Sequence, residues 1–316
     1  MGGMNRRDSR NYIRAYFLAI LLSLNLPSPC NGQSLGNHYV LGVEGIKAGF
    51  PPPEGLYLRN YTYFYSSDQL NDAQSKPLNL NFHLTVVADA TRFSYVTHYQ
   101  IAGGNYGMGL ILPYVYSSAT LGNTTQSHFG LGDVYFEPVI LGWRLEHFDV
   151  MTNLGFFAPT GNFNPANAAS PGDGFWTGMY TLGTTYYPDK EKLWNVAVLN
   201  RLEFSSKQEQ TQIQPGYGES FEWGVGRSFI IGPQEKGPPD GILDIGAAGY
   251  CNWQFTKTTG PSYPLHSQDV AAVGPEIAYT MPKSNTLFSL RYEPEFEAKA
   301  RPEGATLNLT ITTKLW

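Results

Sequence analysis

Apolar residues recur at every second position through most of this 316-residue chain. The clearest segment, 286–297, has an apolar and a polar phase: Phe288, Leu290, Tyr292 and Phe296 against Ser289, Arg291, Glu293, Glu295 and Glu297. Alternate residues of a β-strand point to opposite faces, so each such segment predicts a strand with one apolar and one polar face. No stretch sustains the 3.6-residue period of an amphipathic helix, and the sequence therefore predicts an all-β fold.

Thirteen segments carry this alternation, separated by turn residues or polar loops. They cover residues 56–66, 78–88, 92–101, 105–118, 130–142, 148–158, 175–187, 194–204, 219–231, 243–255, 269–281, 286–297 and 304–315. A turn signal, Asp89-Ala90-Thr91, divides the second segment from the third. Because single-chain bacterial barrels have even strand numbers, we expect a single antiparallel barrel of twelve strands, with fourteen as the second possibility.

Alternation alone fits either a soluble β-sandwich or a transmembrane β-barrel, which differ in whether the apolar faces pack together or contact lipid. Three features favour the barrel. The segments are roughly 10 to 13 residues long, about twice the usual strand length of globular sheets. Aromatic residues lie near segment ends, as an interfacial belt requires, and the chain ends with Trp316; these aromatics are Trp143, Trp176, Trp194, Tyr186 and Tyr187. Charged residues make up only 15% of the chain, and the net charge of −5 argues against a nucleic-acid partner.

The N-terminal region predicts export. Residues 1–32 combine arginines, a short apolar core and small residues, the pattern of a secretory signal peptide. Residues 33–54 lack strand alternation, so we expect a segment that either plugs the barrel or lies in the periplasm, followed by a barrel over 55–316. The mature chain then keeps only Cys251, which excludes an intramolecular disulfide and favours a bacterial outer membrane.

Several motifs resemble the phenol meta-pathway degradation family of outer-membrane transporters. The motifs are Pro51-Pro52-Pro53-Glu54-Gly55, Gly130-Leu131-Gly132-Asp133-Val134, Glu137-Pro138, Leu141-Gly142-Trp143, Ala158-Pro159-Thr160-Gly161, Val273-Gly274-Pro275-Glu276, Glu295-Phe296-Glu297-Ala298 and Arg301-Pro302-Glu303-Gly304. Their order and spacing cover most of the mature chain. The resemblance implies a β-barrel channel that admits hydrophobic or aromatic molecules, and it supplies no catalytic residue.

Charged residues on the polar phase are the candidate lining of the barrel interior. They are Asp133, Glu137, Asp149, Arg201, Glu203, Asp244, Glu276, Arg291, Glu293 and Glu295, with Glu297 on the same phase. A charge facing lipid near the bilayer centre costs about 2–4 kcal/mol, so we expect these side chains inside. There they either form ion pairs that stabilise the barrel or line a permeation path, and both roles are compatible.

Four prolines fall inside apparent strands: Pro113, Pro138, Pro275 and Pro294. Proline cannot donate a hydrogen bond to the strand ladder, and a closed barrel has no edge strand to hold it. Each proline therefore either lies at a strand end or bulge, or kinks the wall and opens a gap through which hydrophobic solutes leave sideways. A run of tyrosines at 57, 61, 63 and 65 either lines a path for aromatic solutes or forms an interfacial belt.

No enzyme or cofactor motif emerges from the sequence. The six histidines are scattered without paired spacing, which predicts no metal site. The Gly130-Leu131-Gly132 stretch lacks the rest of a dinucleotide fingerprint, and no GxSxG motif is present. We therefore expect a passive outer-membrane channel without catalytic residues or a cofactor. Its expected partners are outer-membrane lipid and lipopolysaccharide, the barrel-assembly machinery and small hydrophobic solutes. The alternatives are a structural or enzymatic barrel and a secreted soluble β-sandwich.

Overall fold

The computed structural model describes residues 37–232, 237–260 and 267–316 and is nearly all-β. The predicted signal peptide and the first residues of the predicted 33–54 segment lie outside these ranges. The strands are β1 (Gly55–Leu70), β2 (Phe82–Ile101), β3 (Gly104–Leu121), β4 (Thr124–Leu131), β5 (Val134–Arg144), β6 (Phe148–Ala158), β7 (Thr177–Tyr186), β8 (Trp194–Ser205), β9 (Gly218–Ile231), β10 (Gly241–Gln254), β11 (Asp269–Met281), β12 (Thr286–Lys299) and β13 (Pro302–Lys314).

These strands form a closed antiparallel barrel of twelve strands plus one extra strand, as predicted. Consecutive strands pair from β5 to β13, β13 pairs with β1, and β1–β2 and β2–β3 pairs lead back to β5 through β3. The extra strand is β4, which pairs with residues 114–121 of β3, while β5 pairs with residues 105–111 of the same strand. Because only Gly132 and Asp133 separate β4 from β5, the two behave as one long strand with a break.

The predicted turn at 89–91 is wrong, which explains the odd segment count. Residues 82–101 form one strand, β2, and Asp89 lies in its middle with its side chain on the outer face. The Asn60 side-chain amide of β1 donates a hydrogen bond to the Asp89 carboxylate at 2.9 Å. This cross-strand bond satisfies a polar residue that otherwise disfavours a strand.

The two faces of the wall have opposite chemistry. Apolar side chains such as Phe229, Ile245, Ile277 and Leu290 lie exposed on the outer face. Carboxylates, guanidinium groups, amides and hydroxyls on the opposite phase are buried inside. Of the predicted interfacial aromatics, Trp176, Trp194 and Tyr186 are exposed, whereas Tyr187 is 2% exposed. Within the described ranges, no helix has the length and apolar character required to cross a bilayer.

The barrel has two distinct ends. We name the loop rim the end that carries the connections 71–81, 159–176 and 206–217. The turn rim is the end that carries 102–103, 145–147, 187–193 and 282–285. The first residue of β1 and the last of β13 both lie at the turn rim, where the Leu56 N–H donates to the Trp316 carbonyl at 2.9 Å.

Residues 37–54, the described part of the predicted 33–54 segment, lie inside the barrel. Asn37 contacts Ser220 near the loop rim, and Glu54 contacts Asn105 at the turn rim. The chain therefore runs through the interior from one rim to the other before it turns back to start β1. We call residues 37–54 the interior segment.

Candidate functional site

The ten charged residues predicted to line the interior are all buried. Their exposed fractions are at most 9%: Asp133, Glu137, Asp149, Arg201, Glu203, Asp244, Glu276, Arg291, Glu293 and Glu295. The structure adds charged residues of the same interior that the sequence reasoning missed, among them Glu44, Arg59, Arg92, Glu222, Lys47 and Arg301. For Glu222 a signal was available, because it shares the inward phase of β9 with Ser220, Gly224 and Gly226.

Near the loop rim, Tyr39 of the interior segment connects three wall residues. Its N–H donates to Glu203 at 2.9 Å and its hydroxyl donates to Glu222 at 2.7 Å. The Arg201 guanidinium lies 4.0 Å from the centre of the Tyr39 ring and pairs with Glu222. A second interior residue, Gly42, donates its N–H to the same Glu222 carboxylate at 3.1 Å. Glu222 is thus a principal anchor for the interior segment.

At mid-height, Glu44 forms the centre of a charged cluster. Arg59 of β1 lies 3.0 Å from its carboxylate and Arg92 of β2 lies 3.8 Å away. The Tyr61 hydroxyl donates to the same carboxylate at 3.1 Å. Two guanidinium groups and a hydroxyl therefore surround this carboxylate, and Glu44 holds the segment against β1 and β2.

Two strands from β1 in the wall, Arg291 of β12 joins the segment to β11. Its guanidinium donates to the Gly42 carbonyl at 2.7 Å and to Glu276 at 2.8 Å. Glu276 also accepts the Ile46 N–H at 2.7 Å. Arg291 and Glu276 are 4% and 3% exposed at their side chains, so this pair is shielded from solvent. A buried pair of this kind strongly disfavours loss of either partner.

Towards the turn rim, the segment packs directly against the wall backbone. Lys47 pairs with Asp244 at 2.8 Å. A Cβ added at Gly49 would lie 2.4–2.6 Å from backbone atoms of Thr184, and one added at Gly224 would lie 2.5 Å from the Gly45 carbonyl carbon. Only glycine permits this approach, so the interior segment fits closely into the barrel.

Two more of the predicted residues, Glu295 and Asp149, form contacts between strands of the wall. Glu295 accepts hydrogen bonds from Tyr65 at 2.8 Å and Tyr250 at 3.0 Å, and pairs with Arg301 at 3.3 Å. Asp149 accepts the Tyr187 hydroxyl at 2.7 Å. These contacts belong to the ion-pair network expected of a charged interior. The tyrosines of β1 take part in it: 61, 63 and 65 are buried inside, so they form no interfacial belt.

Glu137 and Glu293 are two further members of the predicted set. Glu137 pairs with Arg92 at 2.8 Å and contacts Asn153. Glu293 is fully buried, and its one hydrogen-bond partner in the described interior is Thr306, at 3.4 Å. Glu293, like Glu203, therefore lies in the interior without an ion pair among the described residues.

Carboxylates outnumber cationic groups in this interior. Among the buried described residues, nine carboxylates stand against two guanidinium groups. Half-buried Arg59, Arg92, Arg301 and Lys47 add positive charge, and Glu44 adds one more carboxylate. The interior therefore carries a negative excess, which favours cations over anions in any aqueous path through it.

All four prolines lie where the strand ladder is irregular. Pro138 occupies a bulge in β5, with register shifts towards both β3 and β6. Pro113 faces the break between β4 and β5, where its carbonyl accepts the Gly132 N–H at 2.9 Å. Pro275 and Pro294 lie within a stretch where β11 and β12 form no pairs, between Ala272↔Glu295 and Glu276↔Arg291.

An apolar groove opens on the outer wall at the Pro138 bulge. It has a volume of about 370 Å³. Glu137 and Gly109 contribute to its lining. Its apolar sides include Phe93, Tyr95, Met108, Leu110, Phe136 and Phe156. Since the Glu137 side chain reaches the interior network, only the thickness of the wall separates this groove from the barrel interior.

A twelve-stranded closed barrel with an apolar outer face and a charged interior defines an outer-membrane β-barrel protein. The family model described as "Putative MetA-pathway of phenol degradation" matches residues 67–311, and the chain belongs to this family.

The COG4313 outer membrane channel from Pseudomonas putida F1 has a similar solved structure, with a TM-score of 0.65 and 15% identity over 87% of this chain and 98% of that chain. The β domain of the Bordetella autotransporter BrkA gives a TM-score of 0.50 and 13% identity over 83% and 99% of the two chains. No curated protein matches the sequence. These likenesses establish the fold, which is that of outer-membrane channels and translocators.

Proposed function

We propose that this protein is an outer-membrane channel for the uptake of small hydrophobic molecules, aromatic compounds among them. In this proposal the apolar outer face contacts outer-membrane lipid and lipopolysaccharide, and the barrel-assembly machinery inserts the chain. The loop rim faces the outside and the turn rim faces the periplasm, since the termini of bacterial barrels with short turns lie on the periplasmic side.

The observation that carries the proposal is the contrast between a filled interior and a closed wall whose strand ladder is irregular at four prolines. The interior segment is held by Glu222, Arg291 and Glu44 and packs against the wall at Gly49. A hydrophilic solute needs a continuous aqueous path along the barrel axis, and this segment occupies it. A hydrophobic solute has a second path, because it is soluble in the bilayer that surrounds the wall.

The groove at Pro138 is the part of the wall that suits such a path. Pockets that bind small molecules have volumes of about 300–1,000 Å³ and are mostly apolar, and this groove has about 370 Å³. Aromatic rings such as Phe93, Phe136 and Phe156 offer stacking partners to an aromatic solute. We propose that solutes pass between the interior and the bilayer here, and that Pro138 keeps the ladder open by forming the bulge.

Passive transport accounts for the interior better than catalysis does. Each of Glu222, Glu276 and Asp244 is occupied by a group of the interior segment. A catalytic carboxylate needs access to its substrate, and these are covered. The alternative function is an enzymatic barrel. Turnover of a chromogenic ester by the purified protein would support an enzyme and contradict the proposed channel.

Uptake measured in cells tests the proposed function. Cells with and without the protein are incubated with a radiolabelled phenolic compound and, in parallel, with a labelled sugar of similar mass. We expect faster uptake of the phenolic compound only, and only in cells that contain the protein. Equal rates for the phenolic compound in both strains would refute the proposal.

A further inference from the structure

Three oxygen- and nitrogen-bearing side chains converge at the loop rim from separate parts of the chain. They are His38 of the interior segment, Asp133 at the break between β4 and β5, and Asp173 of the 159–176 loop. One ligand atom from each lies within 4.8 Å of the other two. His38 Nε2 is 2.9 Å from Asp133 Oδ2 and 3.5 Å from Asp173 Oδ2. Tetrahedral ligands bound at about 2.0–2.2 Å lie roughly 3.3–3.5 Å apart, so small shifts bring these atoms around one ion.

The imidazole is fixed with Nε2 directed at the two carboxylates. On its other side, Nδ1 lies 2.9 Å from the Thr177 hydroxyl. The ring stacks on Phe157 at 4.4 Å and meets the edge of Phe175 at 5.1 Å. A histidine that ligates a metal through one nitrogen is usually held in this way through the other. The ring is therefore preorganised for a ligand at Nε2.

Asp133 is oriented by the backbone around it. Its two oxygens accept the Gly161 N–H at 2.7 Å and the Asp173 N–H at 2.8 Å. A carboxylate has about four lone-pair sites, so these bonds leave capacity for a metal ion. The side chain is 1% exposed, whereas that of Asp173 is 41% exposed. Asp133 is therefore a fixed and buried member of the cluster, whereas solvent reaches Asp173 from the loop rim.

The charge around His38 is unbalanced. Among the described residues, neither Asp133 nor Asp173 has a Lys or Arg nitrogen within 4.0 Å, and both have only the His38 ring as a cationic partner. Glu203, which accepts the Tyr39 N–H, adds a third carboxylate to this end of the barrel. One Glu203 oxygen is buried without a hydrogen-bond partner in the described structure. A divalent cation would neutralise Asp133 and Asp173 together.

We propose that His38, Asp133 and Asp173 bind a divalent first-row transition-metal ion, for which Zn²⁺ is the appropriate probe. Imidazole nitrogens and carboxylate oxygens are both zinc ligands, and a water would complete the tetrahedron. The imidazole nitrogen argues against Mg²⁺ and Ca²⁺, because both ions prefer sites made only of oxygen ligands. The bound ion would connect the interior segment to the wall break and to the 159–176 loop. This inference does not depend on the proposed uptake function.

Calorimetric titration of the detergent-folded, tag-free, EDTA-treated full chain with Zn²⁺ and with Ca²⁺ tests the site. We expect one Zn²⁺ per chain and no binding of Ca²⁺ at the same concentrations. Asp173→Asn should weaken Zn²⁺ binding by about 100-fold or more. Asp269→Asn is the matched control, because Asp269 is a half-exposed carboxylate that pairs with Lys299 away from the cluster. We expect this control to bind like the wild type.

Folding of each variant is checked by heat-modifiable gel migration, so that loss of binding is not confused with loss of structure. His38→Gln gives an independent arm, since it removes the nitrogen ligand and keeps a side chain of similar size. Absence of Zn²⁺ binding to the folded wild type would overturn the proposal. Unchanged affinity in both Asp173→Asn and His38→Gln would equally overturn it, because the ion would then bind elsewhere.

Discussion

The Glu44 carboxylate of the interior segment lies 3.0 Å from the Arg59 guanidinium of β1. These two residues are separated by the turn-rim reversal at Gly55, so the ion pair ties the segment to the strand that directly follows it. Arg92 of the next strand supports the same carboxylate at 3.8 Å. The two residues lie 15 positions apart in the sequence, so the ion pair joins the two sides of the chain reversal at the turn rim.

Glu44→Gln should loosen the interior segment. A hydrogen bond to a charged group contributes about 1.5–3 kcal/mol, and the variant weakens those from Arg59 and Tyr61. We expect higher single-channel conductance in planar bilayers and more frequent open events. Glu54→Gln is the control, because Glu54 lies in the same segment at the turn rim and contacts Asn105 at 3.3 Å. Identical conductance in both variants would show that Glu44 does not hold the segment.

Arg291→Gln should destabilise the barrel markedly. It leaves Glu276, which is 3% exposed, as a buried charge without its partner. Loss of one member of a buried pair costs about 3–5 kcal/mol. The temperature at which the folded band disappears in heat-modifiable gels should fall accordingly. Lys299→Gln breaks an exposed pair with Asp269 and should cost less than about 1 kcal/mol. Equal shifts in the two variants would contradict the shielded character of the Arg291 pair.

Met108→Trp should block the groove at Pro138 and slow hydrophobic uptake. Met108 lines the groove and is 43% exposed on the outer wall. Leu290→Trp offers a matched control, since Leu290 is 44% exposed on β12, away from the groove. The rates to compare are those of labelled phenolic uptake at equal protein levels in the membrane. If both variants take up the compound at the wild-type rate, the groove is not the path.

Strand alternation predicted the inward phase correctly for ten charged residues because a two-residue period decides which face a side chain takes. The prediction failed for Glu297, which is exposed. There β12 contains an extra residue relative to β11, and Glu297 has a φ of 55°. A bulge shifts the phase by one residue, and nothing in the local sequence marks its position.

The contacts of the interior segment were beyond sequence reasoning for a different reason. Tyr39 and Glu222 lie 183 positions apart, and His38 and Asp133 lie 95 apart. Spacing along the chain therefore gave no indication of the His38 cluster, and the expectation of no metal site rested on that spacing alone. The twelve-strand count was accessible because the closure rule for bacterial barrels corrected a segment count that had split β2 in two.

The path of the interior segment also constrains the order of assembly. One end of the segment continues covalently into β1, and its other end reaches Asp133 and Thr177 near the opposite rim. If the barrel closed first, the interior segment would have to thread through its whole height, and native chains rarely thread. The interior segment is therefore in place before β1 and β13 pair and close the barrel around it.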